Sequence, residues 1–540
     1  MLQYAAYTAV KSRASWIGLD KACVYWNLGC SVAAATLMLT SLWHHEPWSD
    51  EIHAWGLAVA SPTPLAIFHN LAYDGHPGLW HLLLWCASCI STAPVMLKVV
   101  HGAIGLGIIA MLGLYLPAGR AERVLLLLNY FVLFEFTVIS RNYGIGLLLS
   151  LIYCTVYIRR REAFGIHAVI LALLANTNVF GLILSVILLT ERVGRPLLAN
   201  ELRLRRLTPG LLAYGSALAL SVATLLPAPD IAFTADRRFL TIANILEAEH
   251  AWLALLRFTV TPFMPIASGF PEGFASAGRY WSNAQRLSAS AAVLPVLGAI
   301  AYLFRKEPWR LFIVFSTIAG GGLFAHLFYL GSIRHCGIVM IAFLVALWLS
   351  RASPADKGSG VGHSWIVALL LVGGAVGGAE ATAAGWLRTF SNVGPAARWI
   401  EAHHLQGMPL IGFWDMQASS VAILLQRPVY LLQCECVVRY AHLDNRRDRF
   451  VLTEMPEREL LEAFRVVGPG PAILISGIPM PPAAIAALQD VGVRTDALAE
   501  FRNAERDREI FLYKLHYDVV AELVVRQKLK VGPNQSAPAK

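Results

Sequence analysis

Apolar residues are grouped along this chain into separate blocks, and each block ends in a cluster of Arg, Pro or Gly. Many blocks approach the roughly 20 residues that an α-helix needs to cross the hydrocarbon core of a bilayer. Strands of a membrane β-barrel would instead alternate apolar and polar positions, and no such alternation is evident. The pattern therefore predicts a polytopic α-helical membrane protein.

The first predicted membrane helix extends from about residue 27 to residue 43, and because no small-residue cleavage site follows it, we expect it to be retained. The block at 77–90 is short for a span and predicts a helix that lies in the membrane face. The short blocks at 164–176 and 179–190 are compatible with two helices or with one kinked helix. The other predicted spans, which bring the total to about eleven, are 97–116, 124–139, 144–158, 210–226, 287–304, 311–329, 336–350 and 364–379.

Composition and charge add an orientation to this picture. The chain is 56% hydrophobic and 15% charged, whereas soluble domains carry about a quarter charged residues. Short basic runs at 159–162, 195–206 and 305–310 account for much of the net charge of +9 and are typical of cytoplasmic loops, so we expect no nucleic-acid partner. This orientation leaves the loops 44–96 and 227–286 on the outer side of the membrane, together with the region after residue 380.

Residues 385–540 are less apolar than residues 1–384, and they predict a small soluble α/β domain outside the membrane. Its candidate strands are short apolar runs, and its candidate helix ends at a Gly. The predicted strands and helix are 408–415, 428–433, 472–477 and 509–515, with the helix at 482–492. The chain therefore divides into a transmembrane domain, residues 1–384, and this C-terminal domain.

Cys434 and Cys436 are separated by one residue, a spacing that we interpret as too tight for a disulfide between them. No other cysteine lies nearby in the sequence, so the pattern predicts neither a disulfide framework nor a metal site. Cysteines in the apolar blocks, such as Cys154 and Cys336, are interpreted as packing residues.

Two neighbouring carboxylates, Asp50 and Glu51, follow the first predicted helix at the outer membrane surface. In one interpretation Ser49 or Asp50 caps a helix that starts at Glu51, and the helix dipole favours both charges. In the other, one carboxylate accepts a proton from an acceptor hydroxyl while its neighbour orients that hydroxyl or holds a divalent cation. The local sequence leaves both interpretations open.

Further polar residues are expected at the same membrane surface. His76, in the stretch DGHPGLWH, is either a hydrogen-bonded structural residue or a member of the site. Glu135 lies in the outer half of a predicted span, where an ionisable residue is a candidate for function, or it pairs with Arg141. Arg334 and His335 lie at the outer end of another predicted helix. There Arg334 either binds a phosphate with two hydrogen bonds or is an ordinary interface residue.

Taken together, these stretches resemble the membrane glycosyltransferases of the GT-C fold, in particular the protein O-mannosyltransferases and the bacterial lipid A aminoarabinose transferases. Those proteins carry an acidic pair in the first outer loop, then a Gly-x-Pro-Pro-Leu-x-Tyr type of stretch, and later an Arg-x-Tyr sequence. The counterparts here are Asp50–Glu51, GHPGLWH at 75–81 and SRNY at 140–143, and the Arg-His pair at 334–335 resembles the start of a late helix. The resemblance covers about residues 28–350.

The resemblance implies a GT-C-like transmembrane domain that transfers a sugar from a polyprenyl phosphate to an acceptor hydroxyl by one inverting displacement. Asp50 is the implied base, and Glu51 would position the acceptor or bind a metal. The implied ligands of the donor phosphate are Arg141, Arg334 and His335. Secondary members of the site would be Glu135, His76 and Tyr143. Relatives differ in their need for a divalent cation, and Glu51 and His76 are the candidate metal ligands here.

The implied partners are the polyprenyl-phosphate sugar, membrane lipids and an acceptor that could be a protein, a glycan or a lipid. The composition, rich in Ala, Gly and Arg, suits a bacterium, so we expect an inner-membrane protein whose C-terminal domain is periplasmic. One alternative is a polytopic transporter or lipid flippase, for which buried charges are equally natural. A second alternative is a non-catalytic assembly or sensor subunit that binds through the C-terminal domain.

Overall fold

The computed structural model describes residues 21–198, 204–231, 247–265, 283–328, 331–352, 364–446, 457–490, 492–507 and 509–517. Helices form most of the chain up to residue 402, and a six-stranded sheet with its helices follows. The predicted class, a polytopic helical membrane protein with a small C-terminal α/β domain, is confirmed.

Seven helices of the described residues are long and apolar enough to cross a membrane. They are Lys21–His44, Val95–Tyr115, Leu207–Leu225, Arg286–Leu303, Pro308–Leu327, Ile333–Arg351 and Ser364–Leu387. Shorter apolar helices are Leu79–Ser88, Tyr143–Arg159 and Phe164–Ala175. The remaining helices before the sheet are Ser49–Ala60, Pro64–Asn70, Arg120–Leu127, Val179–Leu198, Ala248–Val260 and Val393–Ala402.

The region 164–190 contains two helices, because Asn178 interrupts the apolar run. Its side-chain Oδ1 accepts a hydrogen bond from the backbone of Gly181 at 2.9 Å, which stabilises the start of the second helix. The two helices, Phe164–Ala175 and Val179–Leu198, contact each other. Of the two interpretations of this stretch, the hairpin is therefore the observed one.

The predicted span 124–139 is not one continuous α-helix. The α-helix Arg120–Leu127 ends, and a π-helical turn occupies Phe131–Glu135. Asn129 lies at the break, and its Oδ1 accepts a hydrogen bond from the backbone N–H of Phe131 at 3.1 Å, in competition with helical bonds. Gly378 of the helix Ser364–Leu387 lies directly against the carbonyl of Leu128, where a Cβ atom would overlap it. Residues 130–147, which follow the break, are buried, and they include Arg141.

The helix Ile333–Arg351 is the most enclosed of the seven candidate spans, with 89% of its apolar window buried. It contacts the helices Pro308–Leu327 and Tyr143–Arg159. At its C-terminal end Arg351 pairs with Glu122 at 2.6 Å. Because this helix is held along its whole length, Arg334 at its N-terminal end has a well-defined position.

The C-terminal sheet has the strand order β3-β2-β1-β4-β6-β5 and mixes parallel and antiparallel pairs. The strands are β1 (Leu410–Phe413), β2 (Val429–Leu431), β3 (Cys436–Val438), β4 (Gly470–Ser476), β5 (Val493–Phe501) and β6 (Ile510–Tyr517). β1 is parallel to β2 and β4, whereas β6 is antiparallel to β4 and β5. The helices among them are Asp415–Leu424, Glu457–Val467 and Pro482–Asp490.

All four predicted strands and the predicted helix of this domain are present, as β1, β2, β4, β6 and Pro482–Asp490. β5 was not predicted, because it carries polar residues such as Asp496 and only Val493 in it is buried. The three-residue strand β3, none of whose residues is buried, was not predicted either. The helix Asp415–Leu424 packs against the helix Ser49–Ala60. Their approach is so close that a Cβ atom on Gly56 would overlap the side chain of Ile423.

The prediction for Cys434 and Cys436 was wrong, because the two form a disulfide. The chain turns between β2 and β3, and Glu435 between the two cysteines has a positive φ of 53°. That turn leaves the two Cα atoms 5.2 Å apart, a separation typical of disulfides. The backbone turn, and not the number of intervening residues, decides whether the bond can form.

Candidate active site

The helix Ser49–Ala60, called the acidic helix below, is separated from the helix Lys21–His44 by four residues. Its first turn contains both Asp50 and Glu51, where the helix dipole favours negative charge. Glu51 reaches back, and its Oε2 accepts a hydrogen bond from the backbone N–H of Trp48 at 3.1 Å. The interpretation in which Ser49 or Asp50 caps a helix that starts at Glu51 was therefore wrong, because the helix starts at Ser49 and Trp48 occupies the capping position. The placement of both carboxylates in the first turn is as expected.

The side chain of Glu51 is fully buried and binds three segments of the chain. Besides Trp48, it forms a hydrogen bond with His45 Nε2 at 2.9 Å and accepts one from the backbone N–H of Ser140 at 2.5 Å. Burial alone would raise the pKa of Glu51, but the charge and hydrogen bond of His45 and the two backbone donors outweigh it and lower that pKa. Glu51 is therefore an ionised carboxylate that holds the loop at residue 140 against the acidic helix.

The side chain of Asp50 points toward two arginines and stays 30% exposed. Arg334 Nη2 donates a hydrogen bond to Asp50 Oδ2 at 3.2 Å. Arg141 Nη2 lies 3.9 Å from the same oxygen, and Arg141 Nη1 donates to the backbone carbonyl of Asp50 at 2.6 Å. Burial would raise the pKa of Asp50, yet the positive charges of Arg141, Arg334 and Arg506 lower it below its ordinary value. Asp50 is thus ionised at neutral pH.

His76 contacts Arg141 and fixes the orientation of its guanidinium group. Its Nε2 lies 3.0 Å from Arg141 Nη2, and burial is the main cause that lowers the pKa of His76 to about 4. The ring is therefore neutral at neutral pH and accepts a hydrogen bond from the guanidinium. Gly75, with a φ of 70°, adopts the left-handed conformation that turns the chain just before His76.

Three other predicted site residues have partners of their own. The hydroxyl of Tyr130 donates a hydrogen bond to Glu135 at 2.5 Å, in place of the Arg141 partner that the sequence suggested. His335 Nδ1 accepts a hydrogen bond from the backbone N–H of Ser332 at 2.6 Å and so caps its own helix. The ring of Tyr143 meets His335 edge to face, with centroids 5.7 Å apart. These residues contact other partners, whereas Asp50, Arg141, Arg334 and His76 are joined by direct contacts with one another.

The two candidate metal ligands are engaged with different groups. Glu51 binds His45 and backbone N–H groups, and His76 binds Arg141. Within the described ranges, no three His, Cys, Asp or Glu side chains are grouped so that they could hold a metal ion. The predicted pair Glu51 and His76 therefore does not fit a shared metal site.

Two residues at this site come from the C-terminal domain and were missed by the sequence reasoning. Arg506 lies over the indole of Trp48, with its guanidinium carbon 4.5 Å from the ring centroid, and Arg334 lies 5.2 Å from the same ring. Asp507 accepts hydrogen bonds from Ser49. The stretch NAERDRE at 503–509 has the appearance of an ordinary charged surface loop, so no local signal could have connected it with Trp48.

Asp74 was also missed, although it stands two residues before His76. Its carboxylate lies 3.6 Å from His53 Nε2 and 3.3 Å from His81 Nε2. All three side chains are almost fully buried. The DGHPGLWH stretch therefore supplies a negative charge that interacts with Arg141, as well as the histidine that was predicted.

No protein-family model and no curated protein matches this sequence. The fold, however, matches the crystal structure of ArnT from Cupriavidus metallidurans in the apo state, with a TM-score of 0.51 over 91% of this chain and 98% of that chain. The chain has the GT-C fold. The identity with ArnT over the matched region is 13%. The structure of the same protein bound to undecaprenyl phosphate matches with a TM-score of 0.48, over equal shares of both chains and at the same identity.

The GT-C fold was the fold that the motif resemblance implied, and it is confirmed along nearly the whole chain. The match extends past residue 350, where the motif resemblance ended. Within this fold the acidic pair, His76 and Arg141 are adjacent in space, although the sequence separates them by up to 91 positions.

Proposed function

We propose that this protein is a membrane glycosyltransferase that moves a sugar from a polyprenyl-phosphate donor to an acceptor hydroxyl. The observation that carries the proposal is the ionised Asp50 carboxylate, which is partly exposed and lies between Arg141 and Arg334. Displacement of a phosphate from the anomeric carbon of a sugar needs a base for the attacking hydroxyl and cations for the leaving phosphate. Asp50 and the two arginines provide these groups. The polyprenyl part of the donor is an inference from the motif resemblance and from the GT-C fold.

In the proposed reaction, the acceptor oxygen attacks the anomeric carbon while Asp50 takes the proton of that hydroxyl. The bond between the anomeric carbon and the phosphate oxygen breaks, and its electron pair stays with the polyprenyl phosphate. Arg141 and Arg334 stabilise the negative charge that develops on this leaving group. A single displacement inverts the configuration at the anomeric carbon. Because the low pKa of Asp50 keeps it ionised, it is ready to accept the proton at neutral pH.

The remaining predicted residues are proposed to act through these three. Glu51 would fix the first turn of the acidic helix, since its oxygens are bound to His45 and the backbone of Ser140. His76 would set the orientation of the Arg141 guanidinium. Glu135, His335 and Tyr143 are assigned supporting roles in the walls of the site.

We place the reaction on the outer face of a bacterial inner membrane, with the C-terminal domain in the periplasm. The basic residues between the apolar blocks support this orientation. The Cys434–Cys436 disulfide supports it independently, because disulfides persist in the periplasm and are rare in the cytosol. The acceptor is left open between a protein, a glycan and a lipid head group.

The proposal is tested by sugar transfer with the purified protein in nanodiscs. Wild type and Asp50→Asn are supplied with radiolabelled polyprenyl-phosphate sugars and with membrane extract as acceptor. We expect transfer or donor hydrolysis by wild type, and a loss of at least about a hundredfold in a folded Asp50→Asn protein. Equal activity would remove Asp50 from the mechanism. If no donor is turned over, the transporter or flippase interpretation replaces the transferase.

A further inference from the structure

A segment of the C-terminal domain, residues 502–507 between β5 and β6, reaches the candidate active site. This connecting segment is held by main-chain hydrogen bonds to the residues after the helix Ser364–Leu387. The N–H of Arg506 donates to the carbonyl of Phe390 at 2.7 Å, and the N–H of Glu505 donates to that of Thr389 at 3.1 Å. The backbone of Arg506 is therefore fixed beside the membrane domain, independently of its side chain.

Asp507 ties the same segment to the first residue of the acidic helix. Its carboxylate accepts hydrogen bonds from the backbone N–H of Ser49 at 2.9 Å and from the Ser49 hydroxyl at 2.7 Å. The hydroxyl of Ser391 donates a third at 2.9 Å. Arg506 precedes Asp507 in the sequence, and Asp50 follows Ser49. The contact between Asp507 and Ser49 therefore keeps Arg506 and Asp50 close to each other.

The side chain of Arg506 stacks on Trp48, and Arg334 lies over the same indole. A guanidinium over an indole face is attracted by the ring and held in a defined plane. The negative charge of Asp50 lies close to the positive charges of Arg334 and Arg141 and partly balances them. Among the residues that the structure describes, Arg506 has no carboxylate within ion-pair distance, and its buried Nε has no hydrogen-bond partner.

Within the charged groups around Asp50, Arg506 and Arg334 repel each other. Arg141, Arg334 and Arg506 all interact electrostatically with Asp50, and Arg334 and Arg506 also interact with Glu135. Asp74, which interacts with Arg141, and Asp507, which is bound to Ser49, belong to the same cluster of charges. Burial, and then repulsion by Arg334, lowers the pKa of Arg506 to about 10, so it stays protonated at neutral pH. An anion placed between Arg334 and Arg506 would relieve this repulsion.

We propose that Arg506 binds the phosphate group of the lipid donor together with Arg334, so that the C-terminal domain completes the donor site. The inference rests on the proposed function and extends it to a residue outside the transmembrane domain. Arg suits the role because its fork of N–H groups matches a phosphate, and Trp48 already orients its plane. Arg506 is in this view a donor-binding residue, whereas Asp507 is the residue that positions it.

Equilibrium binding to the purified full-length protein in detergent tests this inference, with three probes. Undecaprenyl phosphate carries the phosphate and the lipid, undecaprenol carries the lipid alone, and phosphatidylglycerol carries a phosphate on a different lipid. Arg506→Gln is compared with wild type and with Arg502→Gln. Arg502 is the matched control because it belongs to the same segment, is 46% exposed and pairs with Glu500 and Glu509 at the surface.

We expect Arg506→Gln to bind undecaprenyl phosphate about ten- to a hundredfold more weakly, as for the loss of a hydrogen bond to a charged group. Its affinity for undecaprenol should equal that of wild type, and Arg502→Gln should match wild type for both. Wild-type affinity of Arg506→Gln for undecaprenyl phosphate would overturn the inference. If Arg506→Gln loses affinity for undecaprenol to the same extent, the residue has a structural role and the inference is overturned. A loss of affinity for phosphatidylglycerol alone would also overturn it.

If Arg506→Gln does not fold, Arg506→Lys decides the question. Lysine keeps the charge but lacks the planar fork, so we expect weaker binding of undecaprenyl phosphate and unchanged binding of undecaprenol, while unchanged binding of both overturns the inference. The proposed function is tested separately by turnover in wild type. An active wild type with an unaffected Arg506→Gln refutes only the assignment of Arg506. A wild type that binds undecaprenol as tightly as undecaprenyl phosphate refutes both.

Discussion

Arg334 donates a hydrogen bond to Asp50 at 3.2 Å, although 284 positions of sequence separate the two residues. Asp50 begins the acidic helix, and Arg334 begins the enclosed helix Ile333–Arg351. The starts of two helices that are distant in sequence therefore meet at one place. This ion pair keeps the carboxylate ionised, and in the proposed reaction it also brings a cation to the leaving group.

Arg334→Gln is expected to move the acidic limb of the pH–activity profile to higher pH. The Asp50 carboxylate must be ionised to act as a base, so activity is present above the pKa of Asp50 and is lost as the pH falls through it. Arg334 contributes to the lowering of that pKa, and its removal raises it. Loss of the phosphate contact should also reduce kcat/KM at neutral pH by about tenfold or more.

The measurement is kcat/KM for sugar transfer as a function of pH, in wild type and in the variant. Arg398→Gln is the control, because Arg398 is 60% exposed and pairs with Glu46 outside the site. An acidic limb that stays at the wild-type pH in Arg334→Gln would contradict the role given to this ion pair.

Glu51→Gln is expected to destabilise the protein by about 1–3 kcal/mol, because a buried acceptor of several hydrogen bonds becomes partly a donor. The lowered pKa of Glu51 means that its ionised form stabilises the fold above the ordinary pKa of about 4.5, and that this contribution is lost as the pH falls through the lowered value. The check is the thermal unfolding temperature in detergent. Asp50→Asn, at a side chain that is 30% exposed, should change it far less; equal effects would refute the distinction between the two carboxylates.

Cys434 and Cys436 are expected to resist alkylation in the denatured, unreduced protein and to react after reduction. The free cysteines of the described residues, including Cys154 and Cys336, should be alkylated without reduction. Mass spectrometry of peptides from protein purified from membranes provides the measurement. Alkylation of both Cys434 and Cys436 before reduction would show that the bond is absent in the cell.

Gly378→Ala is expected to lower the unfolding temperature, because the added methyl group overlaps the Leu128 carbonyl at the break between Leu127 and Phe131. Such overpacking typically costs about 1–3 kcal/mol. Gly215→Ala is the matched control, since Gly215 also lies inside a helix and has no atom within 4 Å of the added position. There the change should be neutral or slightly stabilising. Equal behaviour of the two variants would contradict the observed packing at the break.

Hydropathy and strand composition were sufficient for the fold class and for four of the six strands of the C-terminal sheet, β1, β2, β4 and β6. They were sufficient because apolar length and strand composition are local properties. The helix break at Asn129 could not be predicted, since it depends on Gly378 of a distant helix. The disulfide was missed for a similar reason, because it depends on the backbone conformation of Glu435.

Within the site, the sequence identified the groups but not their contacts. Asp50, Arg141 and Arg334 were selected by residue type and expected membrane side, and these three lie together. Glu51 was selected for the same reasons, yet its oxygens are directed to His45 and Ser140. Which of two neighbouring carboxylates faces outward depends on the helical rotation of about 100° per residue and on the surrounding chain.

The hydrogen bonds between Asp507 and Ser49 have a consequence for how the protein is made. Ser49 emerges from the ribosome early, whereas its partner is synthesised 458 residues later. The first membrane helices can insert while translation continues, but the start of the acidic helix lacks this acceptor until the segment before β6 has been synthesised. Under the proposed function, the nascent chain therefore lacks a complete donor site throughout synthesis, and a chain that stops short of residue 507 never completes it.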